Sequence, residues 1–592
     1  AGPSTFTRDL ERKRRAEELS PPEVKKRRWD INGAIKFKEA QSVYYVDPAD
    51  TQANADIVQS VEQKRFVMLL GARASGKTTR LLRLVHQLAD KGYRCFFVSL
   101  ELAATCEDRD TFWASLGSFL RANKREIRHI ENKSQFLSAF TREAWEEGEK
   151  IVILIDEFDL LYEACLEVRE DYLRTFRGIL QSEDYVIDSI IVCGTFNLWG
   201  LTTTGPLVSP FNISTRIENS YFTLESTQSL FKAYENDEQI TIDDTIVRDV
   251  FFKSNGHPGM ICLCGRAIHA NLRFQVNSLN NLDFSTWEKF STPKLNDHII
   301  SYNTFKRIVD SLLADTDTAT TSVRLIQEVF AGRLDAVQMG DMEKTSVDFL
   351  TAEGVLLRID EGKYSMASPL IDTFIRQYVI PKRFPNEPLT PIPLQHHNDH
   401  VSMDVVEALK MAVKGFNGGL FRLNHSYKSS GNAKVDGGRY KNVPRESVYD
   451  NELLRIFTNW FRSTLGGYQV TGQWHSRDVH GHKYSDIVIS KDDKPTVVLE
   501  ILATACRPSI LDHFQRTIDY KDLLEANIGW VIHFTRQDDY LDEPDWPSDA
   551  QLEKGVGLVH FWHDQNYTTL RMIARSKVKD EAVEEVVWEH LI

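Results

Sequence analysis

The sequence lacks any uninterrupted apolar run that approaches the roughly 18 to 20 residues needed to span a bilayer. Its first thirty residues also lack the apolar centre of a secretory signal. Paired CxxC motifs are missing, and the number of cysteines is odd. These absences exclude a membrane span and predict a reducing compartment without structural zinc. The seven cysteines are Cys95, Cys106, Cys165, Cys193, Cys262, Cys264 and Cys506.

What is present is a globular composition over a long chain. The 592 residues are 42% hydrophobic and 26% charged, so the chain can bury several cores and is neither collagenous nor disordered as a whole. At roughly 100–200 residues per domain, this length predicts about three to five domains. Because the net charge is −14, binding to nucleic acid would need a local basic groove or a metal.

Positive charge is concentrated at the N-terminus. Residues 1–28 hold nine Lys or Arg against five acids. Eight of the nine form two clusters, Arg12–Arg15 and Lys25–Arg28, on either side of a polar spacer. The pattern resembles a bipartite nuclear localisation signal, and a solvated basic arm is the alternative. The signal predicts a nuclear import receptor as partner and the nucleus as location.

Strand and helix patterns alternate from Phe66 onward, which predicts an α/β fold with a parallel sheet covered on both faces. The expected strands are 66–70, 95–100, 151–155 and 189–193, with a helix over 78–91. Helical periodicity alone then indicates a lid, and the following order of helices and a hairpin describes a winged helix. The predicted domains are a basic tail (1–40), an NTPase core (41–222), a helical lid (223–299), a winged helix (300–380), a proline-rich linker (381–400) and a C-terminal domain (401–592).

A GxxxxGK[ST] motif lies directly between the first strand and its helix. Its glycines let backbone N–H groups surround a phosphate, and the helix N-terminus adds a positive dipole. Lys77 is expected to hold the β/γ-phosphates and Thr78 a magnesium ion. The predicted nucleotide-binding residues here are Gly71, Ala72, Arg73, Ala74, Ser75, Gly76, Lys77, Thr78 and Thr79.

A second nucleotide-site signal is the apolar run 151–155, which ends in Asp156 and Glu157. A buried strand there would deliver both carboxylates beside the phosphate loop. Asp156 is expected to orient Mg²⁺, and Glu157 to act as the general base that polarises the attacking water.

Together these motifs make residues 50–380 resemble the AAA/STAND-like P-loop ATPases. The resemblance implies Thr195 or Asn197 as a polar sensor and Arg216 as an arginine finger or sensor. It also implies that His257 and Pro258 touch the nucleotide. No NKxD guanine-reading motif is present, and its absence leaves both ATP and GTP open as the nucleotide.

The C-terminal part contains a second set of acidic residues. Glu452 lies in one helical row with Val448 and Ile456, and a carboxylate on such a buried stripe is costly unless it is paired or bound to metal. Asp486 and Glu500 are predicted to converge across a hairpin and to hold Mg²⁺ with oxygen ligands, with Glu452 as the third acid. Strands are expected at 468–475, 484–489, 496–503, 530–534, 557–562 and 568–573, with helices at 447–465, 509–526 and the C-terminus.

This order of helix, hairpin and helix resembles the PD-(D/E)XK restriction-endonuclease-like fold, which implies a metal that activates water against a phosphodiester. The family's lysine would fall at position 502, where this chain has Leu502. Candidates to replace it are Lys483, Gln515 and Lys521. A scaffold that binds without cutting, or a purely structural acid pair, are the alternatives.

The basic tail, P-loop ATPase and endonuclease-like domain together resemble the C-terminal effector region of crinkler-type proteins of fungi and oomycetes. That resemblance implies entry into a host nucleus and cytotoxic action. The predicted function is nucleotide hydrolysis coupled to metal-dependent DNA cleavage, with a homo-oligomer left open. The alternatives are a STAND-like signalling switch whose C-terminal domain binds nucleic acid or protein, and a motor ATPase with a structural tail.

Overall fold

The computed structural model describes residues 26–31, 33–102, 108–123, 127–162, 164–195, 214–333, 335–397, 400–463, 467–472, 486–491, 494–577 and 583–591. The first basic cluster, Lys25, Asn197 and Lys483 lie outside these residues. In the described part, no helix is long and apolar enough to cross a membrane. The six described cysteines are free thiols.

The N-terminal half is built on a five-stranded sheet in the order β2-β3-β4-β1-β5, with every neighbouring pair parallel. Apolar clusters cover both faces of this sheet, which explains why its central strands are continuous apolar runs. The strands are β1 (Phe66–Leu70), β2 (Arg94–Ser99), β3 (Ile151–Asp156), β4 (Ile187–Gly194) and β5 (Ser214–Glu218), and the helices are α1 (Gln52–Glu62), α2 (Lys77–Asp90), α3 (Arg109–Asn123), α4 (Lys133–Ala139) and α5 (Leu166–Gln181).

The regions predicted as the helical lid (223–299) and the winged helix (300–380) share a single apolar core. Lid helices begin at side-chain caps such as Thr223, whose hydroxyl accepts from the Ser226 N–H. The helices are α6 (Leu224–Glu238), α7 (Asp244–Ser254), α8 (Pro258–Asn271), α9 (Phe284–Ile300), α10 (Asn303–Leu312), α11 (Asp317–Leu325), α12 (Lys344–Ala352), α13 (Pro369–Phe374) and α14 (Ile380–Arg383). The strands are β6 (Thr241–Ile242), β7 (Asn281–Leu282), β8 (Val337–Gln338), β9 (Leu356–Asp360) and β10 (Lys363–Met366).

Two π-helical turns interrupt this region, at Ile326–Phe330 and Ile375–Val379. The second continues α13 directly into α14. Such turns often occur at functional sites.

The C-terminal domain is a seven-stranded sheet in the order β15 to β21, with helices packed against it. Its first three strands form an antiparallel meander, β17, β18 and β19 are parallel, and the last two are antiparallel. The strands are β11 (Leu394–His397), β12 (His400–Met403), β13 (Tyr427–Ser429), β14 (Asn442–Pro444), β15 (Tyr468–Gly472), β16 (Ile487–Lys491), β17 (Lys494–Ala503), β18 (Ile528–Thr535), β19 (Val556–His563), β20 (Thr569–Lys577) and β21 (Val583–Leu591), and the helices are α15 (Val405–Lys414), α16 (Glu446–Ser463), α17 (Arg507–Leu523) and α18 (Asp549–Leu552).

Two predictions about this half need correction. The expected closing helix is the strand β21, because Val586 and Trp588 alternate toward the apolar core while the residues between them face outward. The expected linker is not a spacer: α14 lies at its start, Ile392 is buried in the C-terminal core, and the Thr390 carbonyl accepts from the Trp460 indole at 2.6 Å. The two halves are also in direct contact, since Gln377 Nε2 donates to the Val470 carbonyl at 3.2 Å and Asn459 Nδ2 to the Pro381 carbonyl at 2.6 Å.

Candidate functional site

The phosphate loop connects β1 to α2, as its motif predicts. Gly76 (φ +87°) and Ala74 (φ +55°) adopt left-handed conformations, and the strand before them is fully buried. A Cβ on Gly71 would lie 3.0 Å from both the Asn219 Cβ and the Ser75 Oγ, so glycine permits this close approach. The loop thus leads to a helix N-terminus, where anions bind favourably.

Lys77 folds back over this loop. Its Nζ donates to the carbonyl oxygens of Gly71 at 2.9 Å and of Ala72 at 2.8 Å. Since the side chain is only 9% exposed, its positive charge is held within the loop. This placement suits an ammonium that neutralises a bound phosphate.

The two predicted carboxylates lie at the end of β3. Asp156 is buried, and burial raises its pKa, while a hydrogen bond from Thr78 acts in the opposite direction. Burial, together with the charges of Asp156 and Asp159, raises the pKa of Glu157. Thr195, at the end of β4, donates to Asp159 Oδ2 at 2.7 Å. The neighbouring strands β3 and β4 and the residues just after them therefore bring four polar side chains together beside the phosphate loop: Asp156, Glu157, Asp159 and Thr195.

These residues fit a magnesium ion. Thr78 and Asp156 supply a hydroxyl and a carboxylate oxygen that already contact one another, and hard oxygen donors are what Mg²⁺ prefers. Asp156 is a buried carboxylate with Lys77 among its neighbouring charges, so a divalent cation would lower the cost of keeping it ionised.

A cavity of about 820 Å³ opens beside this loop. Residues Arg73 to Arg80, Glu157 and Thr195 line one part of it. The remaining walls come from segments that carry no recognised motif. They include Ile31, Ala34, Ile35, Tyr45 and Val46 near the N-terminus, Asn219 to Thr223 after β5, and Pro258, Cys262, Asn303 and Arg307 from the lid and the winged helix.

The N-terminal wall belongs to a segment that we call the strap, residues 26–51. The Arg27 guanidinium donates to both carboxylate oxygens of Asp237 on α6, at 2.8 Å each. Trp29 packs among the aromatic rings of Tyr44 and Phe231. The Ile35 N–H donates to Thr79 Oγ1 at 3.1 Å. The strap therefore joins the lid to the helix that follows the phosphate loop.

The strap corrects the expectation of a basic tail over 1–40, because its later residues form part of the nucleotide cavity. The second basic cluster is also not free in solution. Besides Arg27, Lys26 pairs with Glu238 at 3.3 Å and Arg28 with Asp30 at 3.0 Å. The sequence does carry a sign that this segment packs against the protein, namely the aromatic residues Trp29, Tyr44 and Tyr45. An arm surrounded by solvent would not need them.

Arg80 is another residue of this site that no sequence motif predicted. Its Nε donates to Asn219 Oδ1 at 2.6 Å, and its Nη2 to Ser220 Oγ at 3.1 Å. Its Nη1 donates to Thr51 Oγ1 at 2.5 Å. Burial lowers the pKa of Arg80 to about 10. This one guanidinium ties α2 to the strap and to the segment after β5.

Two of the residues implied by the resemblance do not reach the cavity. Arg216 lies within β5 opposite Met68, is exposed, and is absent from the cavity lining. His257 contacts the backbone of the loop instead, since its Nε2 lies 3.0 Å from the Arg73 carbonyl oxygen. Its neighbour Pro258 does line the cavity, as does Thr195.

The C-terminal acids form a second, more buried cluster. Asp486 and Glu500 are fully buried, and Asp486 Oδ2 accepts from the Ile501 N–H. Burial and the charges of Glu500, Asp450 and Glu446 raise the pKa of Asp486 well above its ordinary value. We call these four residues, Glu446, Asp450, Asp486 and Glu500, the acidic cluster.

The third acid is therefore not Glu452. Arg455 donates to both Glu452 carboxylate oxygens, at 2.8 and 2.7 Å, and the Asn417 N–H donates to Oε2 at 2.6 Å. Glu452 is thus a satisfied structural acid. Glu446 and Asp450, one turn apart on the same helix, lie near Asp486 instead.

The side chains beside Glu500 also differ from those predicted. The His513 ring lies 3.1 Å from Glu500 Oε2, and the Arg516 guanidinium lies 3.6 Å from it. Both residues belong to α17. Gln515 on that helix instead donates to Asp519 on the exposed face, and Lys521 pairs with Asp522. His513 and Arg516 are the residues that the sequence reasoning missed.

Within the described ranges, no group of three or more Asp, Glu, His or Cys side chains is arranged to hold a metal ion. The donor chemistry of the acidic cluster nevertheless suits Mg²⁺, since it consists of carboxylates. In addition, Glu500 Oε1 is buried without a hydrogen-bond partner. The Arg516 guanidinium, 3.6 Å from Glu500 Oε2, offsets part of the negative charge of the cluster.

Part of the N-terminal half matches a known protein family. The model of the AAA domain family matches residues 59–200, and these residues form an AAA-type P-loop NTPase domain. The parallel-sheet α/β fold predicted for this part is thereby confirmed. No curated protein matches the chain.

Several solved structures are similar at low identity. The Walker-type ATPase PABY2304 of Pyrococcus abyssi is 14% identical over 59% of this chain and 99% of that one, with a TM-score of 0.40. Cdc6p of Pyrobaculum aerophilum is 13% identical over 58% of this chain and 94% of its own, with a TM-score of 0.32. ORC2 of Aeropyrum pernix is 13% identical over 57% and 92%, with a TM-score of 0.36.

Proposed function

We propose that this protein hydrolyses a nucleoside triphosphate, ATP or GTP, at the cavity beside the phosphate loop. The observation that carries the proposal is the placement of Lys77, Thr78, Asp156 and Glu157 at one edge of a single parallel sheet. Lys77 and Thr78 begin α2 after the loop that follows β1, and Asp156 and Glu157 lie at the end of β3, so all four are at the carboxyl edge of the sheet, where ligands bind in open α/β sheets.

Each residue has a distinct task in this reaction. Loop N–H groups and Lys77 bind and orient the β/γ-phosphates. Thr78 and Asp156 would hold Mg²⁺, which neutralises charge on the phosphates when bound. Glu157 accepts the proton of the attacking water, and its raised pKa brings its basicity closer to neutral pH. The strap side of the cavity encloses the nucleoside.

The test is phosphate release from ATP and from GTP by the purified full chain with Mg²⁺. Turnover of at least one nucleotide by the wild type and none by Lys77→Ala is the expected result. Absence of turnover with both nucleotides would refute the proposal.

We infer a second activity, metal-dependent cleavage of DNA, for the C-terminal domain. Its support is the order of elements, which runs α16, β15, β16, β17, α17 and β18. Helix α16 supplies Glu446 and Asp450, β17 supplies Glu500, and Asp486 lies directly before β16, so this order brings the acidic cluster together. In this proposal Asp486 and Glu500 would bind Mg²⁺, and His513 or Arg516 takes the role of the lysine missing at position 502.

Plasmid nicking in the presence of Mg²⁺ tests this activity. The wild type is expected to nick plasmid, and Asp486→Asn is expected to lose that activity. Equal results for the two proteins would refute cleavage. Retained DNA binding without nicking would favour the signalling switch, whose C-terminal domain binds without cutting.

We further propose nuclear action in a host cell, as a cytotoxic effector of the crinkler type. The N-terminal clusters support import, but Lys26 and Arg27 also pair with the lid. The separating experiment changes Arg12, Lys13, Arg14 and Arg15 to alanine in a tagged chain. Loss of nuclear enrichment with unchanged nucleotide turnover is expected, whereas retained enrichment would refute an import role for that cluster.

A further inference from the structure

Arg376 is a cation from the winged-helix region that is buried in the C-terminal domain. It lies on the π-helical turn after α13, and its side chain is 2% exposed. Its Nη2 donates to Asp450 Oδ2 on α16, and its Nη1 lies 3.6 Å from Asp372 Oδ2 on α13. The acidic cluster therefore receives a positive charge from the other half of the chain.

The cluster needs this charge. Together with Asp372 it holds five carboxylates, whereas the guanidinium groups that contact them are those of Arg376 and Arg516. The Arg376 and Asp450 side chains are 2% and 4% exposed, so the pair that they form is buried. Removing one partner of such a buried pair is strongly destabilising. A divalent cation would supply the same compensation.

The winged-helix region that carries Arg376 also touches the phosphate loop, through residues that precede α13. The turn after α12 meets the phosphate loop, because Arg73 lies 3.9 Å from Glu353 and a Cβ on Gly354 would lie 3.2 Å from the Ala72 Cβ. On the lid side, Asn255 Nδ2 donates to the Ala367 carbonyl at 3.0 Å, two residues before α13 begins. The Ala367 N–H donates to the Val355 carbonyl at 2.9 Å, so the chain beside the phosphate loop is hydrogen-bonded to the chain that leads into α13 and on to Arg376.

We propose that Arg376 is the cation by which the nucleotide-binding half holds the acidic cluster closed. With its guanidinium on Asp450, Arg376 compensates part of the negative charge of the cluster without metal. Withdrawal of the Arg376 segment, in one nucleotide state, exposes Asp450, Asp486 and Glu500 to a divalent cation. This inference rests on the proposed second activity for its biological purpose, but its test does not use DNA.

The experiment is an Mn²⁺ titration of the full chain without nucleotide, followed by electron paramagnetic resonance. Arg376→Met is expected to bind Mn²⁺ at least ten-fold more tightly than the wild type. The double variant Arg376→Met/Asp486→Asn is expected to lose that gain. Arg455→Met is the matched control, because Arg455 is equally buried at the same interface but pairs with Glu452, and it should show no gain. Equal Mn²⁺ affinity of Arg376→Met and the wild type would overturn the proposal.

A second measurement does not depend on the folding of Arg376→Met. The number of Mn²⁺ ions bound per wild-type chain is compared between ADP and a non-hydrolysable triphosphate. One additional ion in one of the two states is expected, and it should be lost in Asp486→Asn. The same number in both states would overturn the proposal. A gain of metal without plasmid nicking would refute DNA cleavage and leave the role of Arg376 standing.

Discussion

At the scale of single residues, the nucleotide site places its two key charged side chains differently: Lys77 is suited to binding phosphate and Glu157 to accepting a proton. Lys77 is held against the loop carbonyls, whereas Glu157 lies at the end of β3 with its pKa raised. In the proposed reaction, Lys77 would therefore contribute to phosphate affinity and Glu157 to the removal of a proton from water. Substitutions at the two positions should fail in different ways.

Lys77→Ala is expected to abolish hydrolysis and weaken nucleotide binding, because the cation inside the loop is lost. Glu157→Gln should keep binding and lower turnover about 10²- to 10⁴-fold, the usual contribution of a general base. Phosphate release and titration with a fluorescent nucleotide measure the two effects. Arg174→Ala serves as the control, because Arg174 is an exposed residue of α5 that pairs with Glu170, and it should leave both unchanged. Equal turnover in all three variants would show that the site is misassigned.

His257 gives a prediction about pH. Burial lowers its pKa from 6.5 to about 4, so the folded chain excludes a proton that the unfolded chain binds below about pH 6.5. Its contribution to stability is complete above that pH and is lost as pH falls toward 4. Relative to His257→Asn, the wild type should lose about 3 kcal/mol of unfolding free energy between pH 7 and 4.

Denaturant unfolding of both proteins at several pH values measures this difference. Asparagine is chosen because it can also cap α8, as the His257 ring does. A difference that is independent of pH would contradict the burial of a neutral imidazole.

At the scale of elements, the strap connects the basic N-terminus to the cavity beside the phosphate loop. Trp29 is its anchor, and Gly265 on α8 is the residue that gives the indole room. A Cβ at position 265 would lie 2.5 Å from the indole ring, far below van der Waals contact. Helix α8 therefore carries a glycine in its interior, despite the helix propensity that this costs.

Gly265→Ala is expected to displace Trp29 and to lower the unfolding free energy by about 1–3 kcal/mol. Nucleotide binding should weaken with it, because the strap lines the cavity. Gly178→Ala on α5 is the matched control, since a Cβ there meets nothing within 4 Å, and it should be neutral or stabilising by up to about 1 kcal/mol. Denaturant unfolding and nucleotide titration provide the readouts; equal behaviour of the two variants would refute the anchoring role of Trp29.

At the scale of the whole molecule, the two halves share a buried polar interface. Gln377 bridges Asn296 and the Val470 carbonyl, and Asn451 donates to the Ala331 carbonyl. Sequence reasoning favours independent domains on either side of a proline-rich linker. The structure corrects that view, because separation would leave these groups and Arg376 without their partners.

The full chain is accordingly expected to unfold in one cooperative transition. Circular dichroism and tryptophan fluorescence should give coincident thermal curves, and a non-hydrolysable nucleotide should shift both to higher temperature. Two separated transitions, with only one of them shifted by nucleotide, would contradict the shared interface.

The sequence by itself determined the nucleotide site. A phosphate loop is a local feature: Gly71 to Thr78 are contiguous, and the strand before them and the helix after them follow from short-range periodicity. Asp156 and Glu157 could be added because a fully apolar strand in a parallel sheet ends at the same edge as its neighbours. For the same reason the α/β class of this half was predictable.

Only the tertiary structure decided the partners of the buried charges. Glu452 and Asp450 lie on one helix, and periodicity could not tell which of them faces the sheet and which faces Arg455. The strap and Arg376 act across more than 40 and 70 residues of sequence, respectively. Such contacts depend on how completed elements pack, and each buried charge is stabilised by whichever opposite charge that packing brings to it.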